Sequence, residues 1–310
     1  FGEVENKGVD FNIEGIIINK NDLNWTFNAN VSVNRNKLKK LNSNLDFQLG
    51  PSIGFSQAYP ILFMVDQPLG IYWGAETDGV YSSWEEANAS GIAGAAPGEI
   101  KYINHHVEVD ESGQPLEIQE INFDDYVKIG DPNPDFTYSI SNNFTYKNWD
   151  ANILFTGQKG GDLFWVDSWQ LSGLQKTTNI LSSSYANSWI APLSYENGNY
   201  VYDESLGNLT SAIHPGAMIE TGSRAISSDR NIYDGSFIRL KNINIGYNFD
   251  LKNGKNMRVY LAGQNLIVWT DYPGYDPEVR TYTKNPQKRG VDFGTYPGTR
   301  SLLVGLKLNY

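Results

Sequence analysis

The feature that most restricts what this chain can fold into is strict two-residue alternation of polarity. From Trp25 the sequence places Trp25, Phe27, Ala29, Val31 and Val33 in one register and Thr26, Asn28, Asn30, Ser32 and Asn34 in the other, with no position out of phase. In an extended strand successive side chains point to opposite faces, so this segment writes one apolar and one polar face. The same pattern opens earlier with Val9, Phe11 and Ile13. It closes the chain with Leu302, Val304, Leu306, Leu308 and Tyr310 set against Ser301, Gly305, Lys307 and Asn309, Leu303 being the one exception.

Two further hairpins carry the pattern. Phe136, Tyr138, Ile140, Phe144 and Tyr146 face Trp149, Ala151, Ile153 and Phe155 across the tight Lys147-Asn148 turn. Ile243, Ile245, Tyr247 and Phe249 face Met257, Val259, Leu261 and Ile267 across Asp250 to Asn256. The Asn-rich run Asn19 to Asn24 joins the first two strands. Short turns near 20, 147 and 253 therefore alternate with long excursions at about 35–135, 158–235 and 270–300. Within the first excursion Tyr59 to Val65 and Gly70 to Trp73 are expected to form strands, and the small-residue stretch Ala87 to Gly98 is expected to be mobile. Loops of that length are uncommon inside a compact domain, and their confinement to one side is the asymmetry of outer-membrane barrels. The expected fold is all-β, an antiparallel transmembrane β-barrel with long extracellular loops, to which this chain supplies seven to nine strands.

Composition agrees. Aromatic residues make up 13% of the chain while charged residues make up only 19%, so its polarity comes largely from Asn, Ser, Thr and Gly. No window approaches the roughly 20 consecutive apolar residues of a spanning helix, whereas a spanning strand needs only about 9–11 residues of alternating polarity. A formal net charge of -11 argues against nucleic acid or an anionic membrane surface as a partner. Cysteine is absent, which removes a disulfide framework and a thiol nucleophile. The opening Phe1 to Lys7 carries no targeting signal, and the chain is expected to be a piece of something longer.

Six segments, in this order, resemble the SusC/RagA family of TonB-dependent outer-membrane transporters. They are Glu5-Asn6-Lys7-Gly8-Val9-Asp10-Phe11; Pro68-Leu69-Gly70-Ile71-Tyr72 with Asp78-Gly79-Val80-Tyr81; and Ile129-Gly130-Asp131-Pro132-Asn133-Pro134-Asp135-Phe136. Then come Ser236-Phe237-Ile238-Arg239-Leu240-Lys241-Asn242, Gly263-Gln264-Asn265-Leu266 and Tyr272-Pro273-Gly274-Tyr275-Asp276-Pro277-Glu278. The resemblance implies the C-terminal part of a barrel of about 22 antiparallel strands in the outer membrane of a Gram-negative cell. It also implies an N-terminal plug domain outside this chain, uptake of glycans or peptides driven through that plug by the TonB complex, and a SusD-like surface lipoprotein as lid. Between Pro97-Gly98-Glu99 and Ile129 the chain departs from the Asp-rich, calcium-loop-like stretch of many relatives, so neither a metal nor another cofactor is expected.

The candidate site residues follow from position. Trp73, Trp84, Trp165, Trp169, Trp189, Tyr272 and Tyr275 fall in or beside the long loops, where they could stack on a ligand or pack against a lid. Trp25, Trp149, Phe249, Trp269 and Tyr310 sit near strand ends and suit the aromatic girdles where barrel meets lipid headgroups. The terminal aromatic Tyr310 is also the expected assembly signal. Arg239 and Lys241 alternate with Ile238 and Leu240 and are expected to face the lumen or the plug. The apolar phase shifts between Leu240 and Ile243, the mark of a bulge. His105-His106, adjacent on an extended segment, would point apart and serve no common metal, and His214 stands alone. The acidic pairs Glu85-Glu86, Asp110-Glu111 and Asp124-Asp125 read as solvated loops, since a glycosidase needs two carboxylates held about 5–10 Å apart. Nothing in these patterns points to an enzyme. The alternative is a soluble β-rich carbohydrate-binding or hydrolytic module, which predicts that Val31, Val304 and Leu306 line a closed interior. A barrel with a purely structural role is a further rival.

Overall fold

The computed structural model describes residues 2–42, 45–53, 59–174, 179–203, 205–207, 212, 214, 226–251, 255–279, 281–282 and 284–309. Seven long strands form one sheet: β1 (Glu3–Asn19), β2 (Leu23–Lys40), β3 (Pro134–Tyr146), β4 (Trp149–Gly160), β5 (Phe237–Asp250), β6 (Asn256–Trp269) and β7 (Ser301–Asn309). Their order in the sheet is their order in the chain, and every neighbouring pair is antiparallel.

Register turns the sequence alternation into two continuous faces. One cross-strand row runs Trp25, Phe144, Ala151, Ile245, Leu261, Val304, and the adjacent row runs Asn24, Thr145, Asp150, Gly246, Tyr260, Gly305. No second sheet covers the apolar face among the described residues. Val304 is 78% exposed and Val9 69%, and Leu306 and Phe11 are exposed beside them. A β-sandwich would bury that face, so the soluble-module reading lacks the interior it requires. A polar inner face and an apolar outer one are what a lipid-facing barrel wall needs.

Aromatic pairs mark both ends of the apolar band. At the short-turn end Trp149 meets Tyr247 edge-on at 4.9 Å, Tyr247 meets Phe249 at 4.7 Å, and Trp25 stacks on Phe144 at 5.4 Å. At the long-loop end Trp269 lies 6.4 Å from Phe155. On the unbulged β4, Trp149, in the lower row with Tyr247 and Val259, and Gly157, in the upper row with Ile238 and Trp269, are eight residues apart. At about 3.3 Å per residue and a tilt of about 40°, that spans roughly 20 Å, a height that fits within the lipid-facing band of about 25 Å of a barrel.

The expected bulge is present. On β5 the register skips Lys241 against both neighbours: Leu240 and Asn242 face Phe155 and Leu154 on one side and Ile267 and Gln264 on the other. The extra length on β6 is taken up at Asn265, whose φ is 50°. Asn enters this left-handed region more readily than most residues.

The hydrophobic core lies above the sheet. Leu38 at the top of β2 joins Ile61, Tyr72, Phe164, Trp169 and Val291, all buried and drawn from all three long loops. The strands expected at Tyr59 to Val65 and Gly70 to Trp73 form at Ile61–Met64 and Ile71–Gly74. They belong to a separate four-stranded sheet with Phe47–Leu49 and Val127–Gly130. The segment Leu163–Trp165 pairs antiparallel with Ile232–Tyr233 and parallel with Val291–Asp292, tying the second and third loops together. The loops are thus a folded crown.

Two expectations about the first loop are corrected. The loop leaves the wall after Lys40, because β2 stays paired with β1 through its cationic end. The small-residue stretch Ala87 to Gly98, expected to be mobile, begins inside a short capped helix and is tied down beyond it. In α1 (Trp84–Ser90) the Ser83 hydroxyl accepts the Glu86 N–H, and Gly91 closes the helix at φ 64°. The Ala93 N–H then reaches the Gln119 carbonyl at 2.8 Å and the Gly98 N–H the Tyr81 carbonyl at 2.8 Å.

Candidate functional site

The polar face of the wall and the crown above it meet at Arg239. Its β5 register turns Ile238 outward, 44% exposed, and Arg239 inward, 3% exposed. The guanidinium Nη2 donates to Asp276 Oδ1 at 2.5 Å, and Nε lies 2.8 Å from Glu278 Oε2. The bulged Lys241 reaches the same Glu278 at 3.4 Å. Asp276 is itself held by the backbone N–H groups of Glu278 and Gly298, at 2.9 and 3.0 Å. The chain's own third loop therefore supplies the carboxylates opposite both cations. This accounts for three of the sequence segments at once: Arg239 and Lys241 of the first, Asn265 at the facing bulge, and Asp276 with Glu278 in the Pro-rich turn.

A second network, not singled out from sequence, lies lower on the same face. Arg258 pairs with both oxygens of Asp150 and donates to Asn244 at 2.7 Å, while Asn248 donates to Asp150 at 2.8 Å. The Arg258 guanidinium also lies over the Tyr260 ring at 4.8 Å. Glycine makes room for both large side chains. A Cβ at Gly246 would sit 2.5 Å from the Arg258 guanidinium, and one at Gly305 2.1 Å from the Tyr260 ring. The sequence signal was the pair of inward glycines that flank Tyr260 on the two neighbouring strands.

The candidate aromatics divide by burial. Trp165, Trp169 and Tyr272 are buried in the crown. Trp165 packs edge-on against Tyr233 at 5.5 Å and Tyr272 at 6.0 Å, and Tyr272 donates its hydroxyl to Asp292 at 2.5 Å. Burial first, and the carboxylate second, push the Tyr272 phenol far above its ordinary range. Trp73 and Trp189 are half-buried with shielded indole N–H groups that find no acceptor among the described residues. Trp84 at 63% and Tyr275 at 80% exposure stand open. Tyr310 lies outside the described residues.

The remaining titratable groups are mostly scaffold. Asp125 is fully buried, which corrects its reading as a solvated acid. Its Oδ1 accepts the backbone N–H groups of His105 and His106 at 3.0 and 2.9 Å, and its Oδ2 that of Asn122 at 2.9 Å. The His105 ring meets Glu76 at 2.9 Å. Glu86 is held below the usual carboxylate range by the Ser82 backbone N–H and by Lys101. Asp162 and Asp167 are pushed up by burial. Among the described residues, no group of three or more His, Asp or Glu could hold a metal ion. Where wall and crown join, a cavity of about 440 Å³ is lined by amides including Asn6, Asn34, Asn36 and Asn133, with Pro132, Phe63 and Arg289.

No protein-family model matches the chain. Among curated proteins it is similar to TonB-dependent receptor P3 of Formosa agariphila, 33% identical over 321 residues that cover all of this chain and 29% of that protein. It is also similar to TonB-dependent receptor SusC of Bacteroides thetaiotaomicron, 26% identical over 330 residues, again covering all of this chain and 27% of the relative. The chain thus spans less than a third of the length of the relatives it matches. Among solved structures, the RagAB peptide transporter superposes with a TM-score of 0.69 at 19% identity, over 98% of this chain and 29% of the matched one. The RagAB peptide importer in its closed-closed state gives 0.66 at 18% identity. An apolar-out, polar-in antiparallel wall, a folded crown among the described loop residues and similarity along its whole length agree: the chain is a relative, from end to end, of part of the SusC/RagA-type TonB-dependent outer-membrane β-barrel proteins.

Proposed function

We propose that this chain forms the C-terminal strands and extracellular crown of an importer that carries glycans or peptides across the outer membrane. The observation that carries this reading is the seven-stranded wall with its ordered crown. A wall polar on its inner face can border a solvated passage, and a crown with its own hydrophobic core can offer a fixed surface to a ligand or a lid. In the full protein the wall would close to about 22 strands around an N-terminal plug, coupled through that plug to the TonB complex. A SusD-like surface lipoprotein would rest on the crown, with Trp84 and Tyr275 the open aromatics for contact with lid or cargo. The amide-lined cavity beneath offers hydrogen bonds to neutral polar cargo of either class.

Deletion of the gene, with complementation by the full-length protein, tests the reading. The deletion strain should lose growth on defined glycans or on peptides as sole nutrient and regain it on complementation, and the nutrient class lost identifies the cargo. Detergent-extracted protein should retain a lipoprotein partner. Unchanged growth on every glycan and peptide tried, or release of the protein by salt without detergent, would sink the proposal.

A further inference from the structure

The outward face of the wall carries a second pattern at its long-loop end. Above Val33, the outward register of β2 continues as Arg35, Lys37 and Lys39, and four of the chain's 24 Lys and Arg fall within residues 35–40. On β1, Lys7 faces Arg35 and Glu5 faces Lys37. Two strands along, Lys159 of β4 faces Phe136 of β3, whose ring lies 6.0 Å from the outward Tyr138. In a chain with a net charge of -11, this band of cations sits immediately above apolar side chains on the membrane side of the wall.

Directly below lies a groove of about 620 Å³ bounded by Val31, Tyr138, Ile238 and Trp269, with Lys159 at its upper edge. Tyr138 lies over Gly157 of β4, where a Cβ would come within 2.5 Å of the ring. The groove is mostly apolar, lies on the outward face of the wall and carries Lys159 and Asp271 in its lining.

The cations are paired, but exchangeably. Lys7 meets Glu5 at 2.9 Å, Arg35 meets Asp135 at 3.3 Å, Lys37 meets Asp66 at 2.9 Å and Lys159 meets Asp234 at 3.2 Å, and each pair is substantially exposed. Exposed pairs of this kind are worth only about 0–1 kcal/mol, so a stronger anion at the same level can displace a carboxylate.

We propose that this rim binds the headgroup of an anionic, phosphate-bearing lipid of the outer leaflet, whose acyl chain lies in the groove between Tyr138 and Trp269. The proposal rests on the membrane reading of the wall. It adds to that reading a preference for lipid charge, which a uniformly solvated barrel surface would lack.

The test uses the full-length protein in vesicles of phosphatidylcholine containing one-tenth phosphatidylglycerol, with bromine on the acyl chains of one lipid or the other. The Trp269 signal is taken as the fluorescence difference from a Trp269→Phe variant. Brominated phosphatidylglycerol should quench it at least about fivefold more per mole than brominated phosphatidylcholine, the factor one juxtaposed cation provides. Replacing Lys7, Arg35, Lys37 and Lys159 together by Gln should bring the ratio close to one, while quenching by phosphatidylcholine persists and shows that the variant has inserted. Equal quenching by the two lipids in the unsubstituted protein, or an unchanged ratio in the fourfold variant, would overturn the lipid site alone. Quenching by neither lipid would overturn the membrane reading with it.

Discussion

Arg239 and Asp276 form a buried ion pair at 2.5 Å, 37 residues apart in sequence, that fastens the third loop to the inner face of β5. Removing one partner from a buried pair leaves an uncompensated charge and costs about 3–5 kcal/mol. Asp276→Ala also strips an acceptor from the N–H groups of Glu278 and Gly298. The variant should keep its wall and lose its loop, seen as rapid protease cleavage within residues 270–300 at unchanged barrel melting. Arg239→Lys should not rescue the clamp, because an ammonium cannot reach Asp276 and Glu278 together as a guanidinium does.

The left-handed Asn265 gives a second prediction. It sits at φ 50° opposite the bulged Lys241, and its amide donates to the Thr299 carbonyl at 3.2 Å. Asn265→Gly should be nearly neutral, since glycine enters this region freely at the loss of one weak hydrogen bond. Asn265→Val places a β-branched residue there and should cost about 1–2 kcal/mol. Denaturant midpoints of the detergent-solubilised full-length protein, read by the electrophoretic shift of the folded barrel, would separate the two. Equal loss in both variants would refute the conformational argument.

What the sequence made legible follows from what each part must satisfy. Lipid on one side and water on the other force the two-residue period, so Trp25 to Val33 and Leu302 to Leu308 announce their faces without help from distant residues. The top of β2 was hidden because Arg35, Lys37 and Lys39 leave the apolar register while the backbone stays paired. The crown was hidden for a different reason. Its links join residues far apart in the chain, as where the Tyr72 hydroxyl meets the Arg289 carbonyl across 217 positions or Ala75 bridges to Ser228. No local period encodes such pairs. The Arg239 cluster was half legible: the phase shift gave the bulge, and nothing in β5 itself pointed to Asp276.

His214 supplies a pH-dependent outcome. Its ring is half-buried, with Nδ1 3.0 Å from the Arg230 guanidinium, while its backbone pairs with Asn187 and Trp189. Burial first and the Arg230 charge second hold its pKa below the ordinary 6.5. An opened segment would therefore take up a proton before the closed one does. The closed form suffers no penalty while both states are neutral, above 6.5, and loses stability as pH falls through the unperturbed value toward the lowered one. Hydrogen exchange at the Trp189 amide, corrected for intrinsic rate, should accelerate between about pH 7 and about pH 5, and His214→Gln should flatten that dependence. A pH-independent opening in the unsubstituted protein would refute it.

Gly305 tests the packing of the inner wall. Tyr260 lies across it, so that even a methyl group would meet the ring. Gly305→Leu must push Tyr260 off the wall and with it the Arg258 guanidinium that rests on the ring. Overpacking of this kind costs about 1–3 kcal/mol. The same substitution combined with Tyr260→Ala should recover most of the loss, because the leucine then occupies space the ring has left. Failure of the double variant to recover would place the strain in the backbone.

Asp125 separates a structural carboxylate from a solvated one. It is fully buried, and three backbone N–H groups from His105, His106 and Asn122 converge on its two oxygens. Its sequence neighbour Asp124 is exposed. Asp125→Ala leaves these donors without their acceptor, at about 1–3 kcal/mol for each one that water cannot reach. Asp125→Asn keeps one oxygen and should fall between. Asp124→Ala should stay within about 0.5 kcal/mol of the parent. Because this segment belongs to the crown, the loss should appear as protease sensitivity within residues 103–126, with the melting of the wall unchanged. If Asp124→Ala and Asp125→Ala were cleaved at the same rate, Asp125 would not be the residue that organises the loop.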